Sequence, residues 1–142
     1  MKFYALIPAA GSGSRMGGEM PKQYMPLNSI PLIAHALIVL AREPRISKLF
    51  VVISPDDRWW DNYEWQGWEE RLQVLRCGGA TRAETVLNGL EAMAKWCTAD
   101  DWVLVHDAAR PCLPAESLSQ LLDEVADDAV GGLLAVPVAD TL

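Results

Sequence analysis

The chain alternates between short continuous apolar runs and stretches in which apolar residues recur at helical spacing. Five runs are rich in Val, Leu and Ile and lack polar alternation, which predicts strands that are buried on both faces. They are Phe3–Ile7, Leu49–Ile53, Leu72–Leu75, Trp102–Val105 and Leu133–Val136. Alternating strands and helices imply right-handed crossovers, so we expect a Rossmann-like α/β fold with a doubly wound, mostly parallel sheet and helices on both faces.

Three stretches between these runs are predicted to be helices. The clearest is Arg82–Lys95, where Thr81 and Glu84 form the pattern of a capping box at the start. A second runs from about Pro31 to Ala41 and a third follows Pro114, since proline suits the first turn of a helix. In the helix predicted at Arg82–Lys95, the residues expected to face the core are Ala83, Val86, Leu87, Leu90, Met93 and Ala94.

An aromatic cluster between Trp59 and Trp68 does not fit this alternation. It contains four tryptophans and one tyrosine within ten residues. Large aromatic side chains contribute most of their stabilisation by burial, so we predict a hydrophobic cover over the sheet in preference to a platform for stacking bases.

Composition and charge narrow the possible functions. A chain of 142 residues that is 51% hydrophobic is long enough for one domain with a core, and we expect a single domain over 1–142. The net charge of −7 argues against a nucleic-acid surface, and no apolar stretch approaches the ~18 residues of a membrane span. Cys77, Cys97 and Cys112 show neither disulfide nor zinc-site spacing, which favours the reducing cytoplasm.

The loops after the predicted strands are where ligands should bind, because doubly wound sheets open a crevice at the carboxyl ends of their strands. These loops are Ala9–Gln23, Gly78–Arg82 and Asp107–Cys112. The first combines several glycines, which permit close approach of a ligand to the backbone, with the cations Arg15 and Lys22. That combination predicts a polyphosphate site.

Two common phosphate motifs do not fit this first loop. A P-loop, GxxxxGK followed by Ser or Thr, fails because Glu19 and Met20 follow Gly18. A dinucleotide fingerprint, GxGxxG, fails because Met16 stands where the third small residue is needed and Pro21 opposes a helix. A nicotinamide enzyme is therefore the weaker alternative.

Four motifs, in order along the chain, resemble the methylerythritol-phosphate cytidylyltransferases, a family within the nucleotidyltransferase superfamily. They are AAGSGSRMGGEMPKQY, GGATRAETVLNGL, VLVHDAARPCL and PVADT. The resemblance implies a CTP-dependent enzyme that joins CMP to 2-C-methyl-D-erythritol 4-phosphate, releases pyrophosphate and uses Mg²⁺, in isoprenoid precursor biosynthesis. It also implies small-molecule substrates, no nucleic-acid or membrane partner, and a homodimer in the full-length form.

The resemblance assigns roles residue by residue. Arg15, Lys22 and Asp107 would be catalytic, and Asp107 would also contact the metal. Asp107, Arg110 and Thr141 would bind the second substrate. The residues expected at the nucleotide are Pro8, Ala9, Ala10, Gly11, Gly13, Gly79 and Thr85.

Two departures from the family pattern affect these expectations. Ala80 stands where several members carry a polar or acidic residue, so one side-chain contact to the base is expected to be absent or replaced by backbone. The family also continues well past PVADT, so we expect a chain truncated at its C-terminus, without the dimerisation arm, further substrate-binding residues and a late lysine. Two alternatives stay open: another sugar-phosphate or molybdopterin nucleotidyltransferase, and a non-catalytic nucleotide-binding fragment.

Overall fold

The computed structural model describes residues 1–11 and 20–139. Within them, the strands are β1 (Phe3–Ala9), β2 (Pro26–Leu27), β3 (Ile30–Pro31), β4 (Ile46–Ile53), β5 (Leu72–Leu75) and β6 (Trp102–Val105). The helices are α1 (Leu32–Arg42), α2 (Arg82–Met93) and α3 (Ala115–Val125). Short 3₁₀ turns lie at Lys22–Tyr24 and Trp60–Asn62. In this described part of the chain, no helix is long and apolar enough to cross a bilayer.

The main sheet is parallel and has the order β5-β4-β1-β6. The first strand therefore lies inside the sheet, where Leu6 pairs with Phe50 on one side and with Val105 on the other. Consecutive parallel strands must be joined by crossovers. Helix α1 lies in the crossover from β1 to β4 and α2 in that from β5 to β6, whereas the segment with the 3₁₀ turn at Trp60–Asn62 joins β4 to β5. The predicted α/β fold class is confirmed.

Helices cover both faces of the sheet, and alternation along β1 distributes its side chains between two cores. Phe3, Ala5 and Ile7 join the core beneath α1 and α3, whereas Tyr4 and Leu6 join the core beneath α2. All five are buried. A strand with apolar residues on both faces is what the continuous run in the sequence predicted.

The predicted inward face of α2 is wrong in part. Leu87 and Leu90 are 55% and 39% exposed, and the residues that α2 buries are Thr85, Gly89 and Met93. A Cβ atom added to Gly89 would lie within 2.8 Å of side-chain atoms of Val52 and Leu6. The helix thus approaches the sheet most closely at Gly89, a position that an apolar pattern does not reveal.

The predicted strand at Leu133–Val136 is also wrong. The segment forms no strand in the structure, and Leu133 and Val136 are 78% and 86% exposed. A strand exists only where its backbone pairs with a neighbour. Apolar content alone predicted this one, and the described part of the chain provides it with no pairing partner.

The aromatic cluster packs against the core, as predicted for a hydrophobic cover. Trp60 is buried, and Trp59, Tyr63, Trp65 and Trp68 are partly buried against the core beneath α1 and α3. The Trp60 and Trp65 rings stack with centroids 4.2 Å apart. The cluster therefore belongs to the core, and part of it supports the 3₁₀ turn at Lys22–Tyr24.

Candidate functional site

A pocket of about 660 Å³ lies at the carboxyl ends of the strands, where the crevice was predicted. The loops after β1 and β6 and the loop that leads into α2 all contribute to its walls. Its lining residues are 8–11, 22–23, 79–82, 85 and 107–110. The three loops chosen from the sequence therefore meet at one cavity.

The end of β1 supplies the backbone wall of this pocket. Pro8, Ala9, Ala10 and Gly11, which are expected at the nucleotide from the sequence, all line it. Apart from its chain neighbours, none of the described residues would come within 4 Å of a Cβ atom added to Gly11, so these residues leave room for a ligand beside the backbone. Three other predicted site residues, Gly13, Arg15 and Thr141, lie outside the described residues.

The 3₁₀ turn at Lys22–Tyr24 gives each of its three residues a different environment. Lys22 is exposed at the pocket, whereas Gln23 and Tyr24 are buried. The Tyr24 hydroxyl donates to Oδ2 of Asp57 at 2.7 Å, and its ring stacks on Tyr63 at a centroid distance of 5.8 Å. Burial and this hydrogen bond raise the pKa of Tyr24, so it stays protonated. Tyr24 thereby anchors the turn that presents Lys22.

The loop before α2 packs tightly against the loop after β1. The Gly78 N–H donates to the Ile53 carbonyl at 2.9 Å, and a Cβ atom on Gly78 would lie 2.3 Å from Cβ of Ala10. The Gly79 N–H donates to the hydroxyl of the buried Thr85 at 3.1 Å. Gly78 is therefore required for the close approach that brings Gly79 and Thr85 beside Ala10.

The start of α2 is fixed by the predicted capping box. The Glu84 N–H donates to Oγ1 of Thr81 at 3.1 Å, and the Thr81 N–H donates back to the Glu84 carboxylate at 3.2 Å. Glu84 also accepts from the Ala80 N–H at 2.9 Å. Glu84 thus accepts hydrogen bonds from the backbone N–H groups of Ala80 and Thr81. The methyl side chain of Ala80 offers a ligand no polar contact.

Asp107 lies two residues after the end of β6 and is held by two arginines. Its Oδ1 accepts from Nε of Arg82 at 3.0 Å, and its Oδ2 lies 2.8 Å from Nε of Arg110. Burial by itself raises the pKa of this carboxyl, but the hydrogen bonds and charges of the two guanidinium groups outweigh it and lower the pKa. Asp107 is therefore ionised at neutral pH.

The charge of the pocket is opposite to that of the whole chain. Among the described lining residues, Lys22, Arg82 and Arg110 are cationic and Asp107 is the one carboxylate, whereas the chain carries a net charge of −7. Three cations facing one anion make this cavity suitable for a phosphate-bearing ligand. The predicted local phosphate site agrees with this arrangement.

Asp107 is the pocket residue expected to contact a metal ion. The described residues contain no group of three or more His, Cys, Asp or Glu side chains that could hold a metal alone. Mg²⁺ commonly takes one or two carboxylates and completes its shell with water and substrate phosphates. Asp107 offers one carboxylate, whose two oxygens also pair with Arg82 and Arg110, so an ion held here would share that carboxylate with the arginines and take its other ligands from water and a polyphosphate.

Gln23 and Arg82 have polar side chains at the pocket that were assigned no role from the sequence. Gln23 donates from Nε2 to the Ala9 carbonyl at 2.9 Å, and Arg82 pairs with Asp107. Arg82 is the first residue of α2, where the helix dipole disfavours a cation. That unfavourable position was the signal that could have indicated a function. Gln23 offered no comparable signal, because its contacts depend on how the turn folds back on β1.

Comparison with known proteins gives the following matches. The family model described as "IspD: 2-C-methyl-D-erythritol 4-phosphate cytidylyltransferase" matches residues 3–142. Curated proteins with that cytidylyltransferase name include one from Thiobacillus denitrificans, 77% identical over 142 residues, and one from Nitrosospira multiformis, 61% identical over 142 residues. These alignments cover 100% and 99% of this chain but 61% of each relative. The chain thus spans about three fifths of the length of these curated relatives.

Solved structures give the same family. A crystal structure of 4-diphosphocytidyl-2C-methyl-D-erythritol synthase matches with a TM-score of 0.85 and 40% identity, covering 99% of this chain and 62% of its own. The 2-C-methyl-D-erythritol 4-phosphate cytidylyltransferase of Francisella tularensis matches with a TM-score of 0.73 and 32% identity, covering 91% and 54%. The sequence and structure comparisons therefore identify the same family.

Proposed function

The chain belongs to the 2-C-methyl-D-erythritol 4-phosphate cytidylyltransferase family, and from this premise we propose that it carries the nucleotide-binding and catalytic centre of such an enzyme. The proposed reaction transfers CMP from CTP to 2-C-methyl-D-erythritol 4-phosphate. One observation supports the proposal above all. Lys22, Arg82 and Arg110 line the same cavity as the open backbone of Ala9–Gly11 and the glycine loop before α2.

The proposed chemistry is an in-line displacement at the α-phosphorus of CTP. A phosphate oxygen of the acceptor forms the new P–O bond while the bond from the α-phosphorus to the bridging oxygen breaks, and pyrophosphate leaves with that electron pair. No covalent bond to the protein is needed. The protein's part is to orient the two substrates and to stabilise the charge that develops on the phosphoryl oxygens.

We assign the positive charges to different parts of this reaction. Lys22, together with Arg15, would hold the triphosphate and stabilise charge on the α-phosphoryl group and on the leaving pyrophosphate. Arg110, at the far side of Asp107, would hold the phosphate of the acceptor, together with Thr141. Separate cations for nucleotide and acceptor would keep the two phosphate groups aligned.

The base would bind between the two packed loops. Gly79 and Thr85 line the same cavity as Pro8, Ala9 and Ala10. Backbone groups at fixed positions can pair with the edge of a small pyrimidine, and a space that matches this edge would disfavour a purine. Ala80 offers only a methyl group, and the N–H groups of Gly79 and Ala80 are bonded to Thr85 and Glu84. We therefore propose that selectivity for cytosine depends on backbone carbonyl groups around Gly79.

Asp107 would hold Mg²⁺, which when bound would neutralise triphosphate charge and thereby assist departure of pyrophosphate. Arg82 and Arg110 keep the Asp107 carboxylate in a defined position before substrates bind. We further propose that the full-length protein acts as a homodimer in the cytoplasm. The three cysteines are free thiols, which suits that compartment.

The test is a pyrophosphate-release assay with CTP, UTP, ATP and GTP, each with and without 2-C-methyl-D-erythritol 4-phosphate. It is run on this chain and on a longer form that includes the region its relatives have beyond it. We expect release only when CTP and the acceptor are both present in the longer form. Release that is independent of the acceptor, or equal with ATP, would contradict the proposal. CTP binding without turnover in the longer form would indicate a non-catalytic nucleotide-binding protein.

A further inference from the structure

Gln23 binds the loop that follows β1 through both hydrogens of its side-chain amide. Nε2 donates to the Ala9 carbonyl at 2.9 Å and to the Gly11 carbonyl at 3.2 Å. The side chain is buried, with 5% of the residue exposed. An amide nitrogen has two N–H donors, so this contact uses its full donor capacity on two carbonyls either side of Ala10.

These two bonds determine which way the loop presents its dipoles. In a planar trans peptide the carbonyl oxygen and the following N–H point in opposite directions. Because the Ala9 carbonyl points to Gln23, the Ala10 N–H points away from it. Carbonyl oxygens turned toward the cavity would repel a polyphosphate, whereas N–H groups attract one. Gln23 therefore engages two carbonyl oxygens that would otherwise be free to repel an anion in the pocket.

Gln23 cannot easily turn away, because both neighbours in the 3₁₀ turn are restrained. Tyr24 is anchored by its hydroxyl bond to Asp57 and by stacking on Tyr63. The Tyr24 N–H also donates to the Pro21 carbonyl at 3.0 Å, and Pro21 is buried. The aromatic cluster thus holds the 3₁₀ turn at Lys22–Tyr24 in place, and Gln23 of that turn holds the loop after β1.

We propose that Gln23 is a positioning residue for the nucleotide, which orients the backbone of Ala9–Gly11 toward CTP and sets its distance from Lys22. The inference rests on the proposed function and adds a residue and a physical role to it. Because the contact is with the nucleotide loop and not with Arg110, its loss should weaken CTP binding and leave acceptor binding nearly unchanged.

The experiment uses the longer form with Gln23→Glu, Gln23→Met and, as a matched control, Gln73→Glu. Gln73 also donates from Nε2 to a backbone carbonyl, that of Val74, but it does not line the pocket. Titration calorimetry measures the Kd for CTP, steady-state pyrophosphate release gives the acceptor KM, and thermal unfolding checks that each variant folds. If Gln23→Glu does not fold, Gln23→Met carries the test.

We expect both Gln23 variants to raise the Kd for CTP by about tenfold or more, because two hydrogen bonds are lost, while the acceptor KM changes by less than about twofold. The Glu variant has a further signature. A carboxylate repels the two carbonyls but a protonated carboxyl can donate to one, so its affinity should recover as the pH falls, whereas that of Gln23→Met should not.

Failure of this inference can be distinguished from failure of the proposed function. If the wild-type protein binds and turns over CTP and the Gln23 variants have the same Kd and turnover, only the proposed role of Gln23 is overturned. An equal loss of CTP affinity and acceptor affinity would also overturn it, because general loosening of the fold would then explain the effect. A wild-type protein that does not bind CTP would overturn the proposed function and this inference together.

Discussion

Arg82 and Asp107 form an ion pair that joins the first turn of α2 to the end of β6. Nε of Arg82 donates to Oδ1 of Asp107 at 3.0 Å, and a terminal nitrogen of the same guanidinium group lies 2.9 Å from that oxygen. Arg110 holds the other carboxylate oxygen at 2.8 Å. The pair therefore links two of the loops that form the pocket.

Replacing Arg82 by alanine should reduce catalysis more than stability. The pair is partly exposed, so its loss should change the free energy of unfolding by roughly 0–1 kcal/mol. The loss of one cation and of one restraint on Asp107 should lower kcat/KM in the longer form by about tenfold. Arg76→Ala is the matched control, since Arg76 forms an exposed ion pair with Asp61 away from the pocket. Equal activity in the two variants would contradict a role for Arg82.

Lys22→Ala and Arg15→Ala should lower turnover far more than they weaken CTP binding. Their charges are needed most when the α-phosphoryl group is transferred, and loss of one preorganised donor typically costs on the order of 10²–10³ in rate. Steady-state kinetics with both substrates varied gives the turnover, and calorimetry gives the Kd. Lys48→Ala serves as the control, because Lys48 lies on β4 and donates to the Glu70 carbonyl. A Lys22 variant that keeps more than about half of wild-type turnover would refute the catalytic role.

Most of the fold followed from the sequence because the strands that build the sheet are continuous apolar runs. The predicted bounds of β5 and β6 match the structure, and the rule that ligands bind at strand ends identified the loops with Lys22, Gly79 and Asp107. The positions of these loops depend on the topology of the sheet, and the alternation of strands and helices along the sequence predicts that topology.

What the sequence did not reveal depends on contacts between distant segments. Gln23 and Arg82 acquire their roles from partners on other elements, Ala9 and Asp107, and no local pattern records such a contact. The inward face of α2 was misread for a similar reason, because Gly89 allows close packing on Leu6 without any apolar side chain of its own. Polar contacts between distant segments decided the first two cases, and close packing decided the third.

Gly78→Ala should destabilise the protein, whereas Gly11→Ala should not. The new Cβ at Gly78 would lie 2.3 Å from Cβ of Ala10 and 2.9 Å from the Ile53 carbonyl oxygen, so the two loops must separate. Overpacking of this kind typically costs about 1–3 kcal/mol. A Cβ at Gly11 would meet none of the described residues within 4 Å, its chain neighbours aside. Urea unfolding tests the contrast, and equal stabilities of the two variants would contradict the close packing of the loops.

Stability should fall in acid partly through Glu43. The hydrogen bond from Arg45, at 2.8 Å to Oε1, lowers the pKa of this buried carboxyl below its ordinary value of 4.5, although burial opposes the effect. A lowered pKa means that the pair stabilises the fold above that value and that this contribution is lost as the pH falls through the lowered pKa.

Glu43→Gln should therefore be less stable than wild type at neutral pH and should lose less stability between about pH 5 and pH 3. Urea unfolding across this range measures both effects. Glu91→Gln, at an exposed position of α2, is the control and should follow the wild-type pH dependence. A Glu43 variant with the wild-type acid dependence would show that this carboxyl does not contribute.

The selectivity of the pocket for a nucleotide tests the central claim most directly. Titration calorimetry of CTP, ATP and GTP, each with Mg²⁺, against the protein measures it without requiring turnover. Because the loops at Ala10 and Gly79 are held close together by Gly78, we predict one site per chain that binds CTP at least about tenfold more tightly than either purine nucleotide. Equal or tighter binding of ATP would contradict the assignment of this pocket to a cytidine nucleotide.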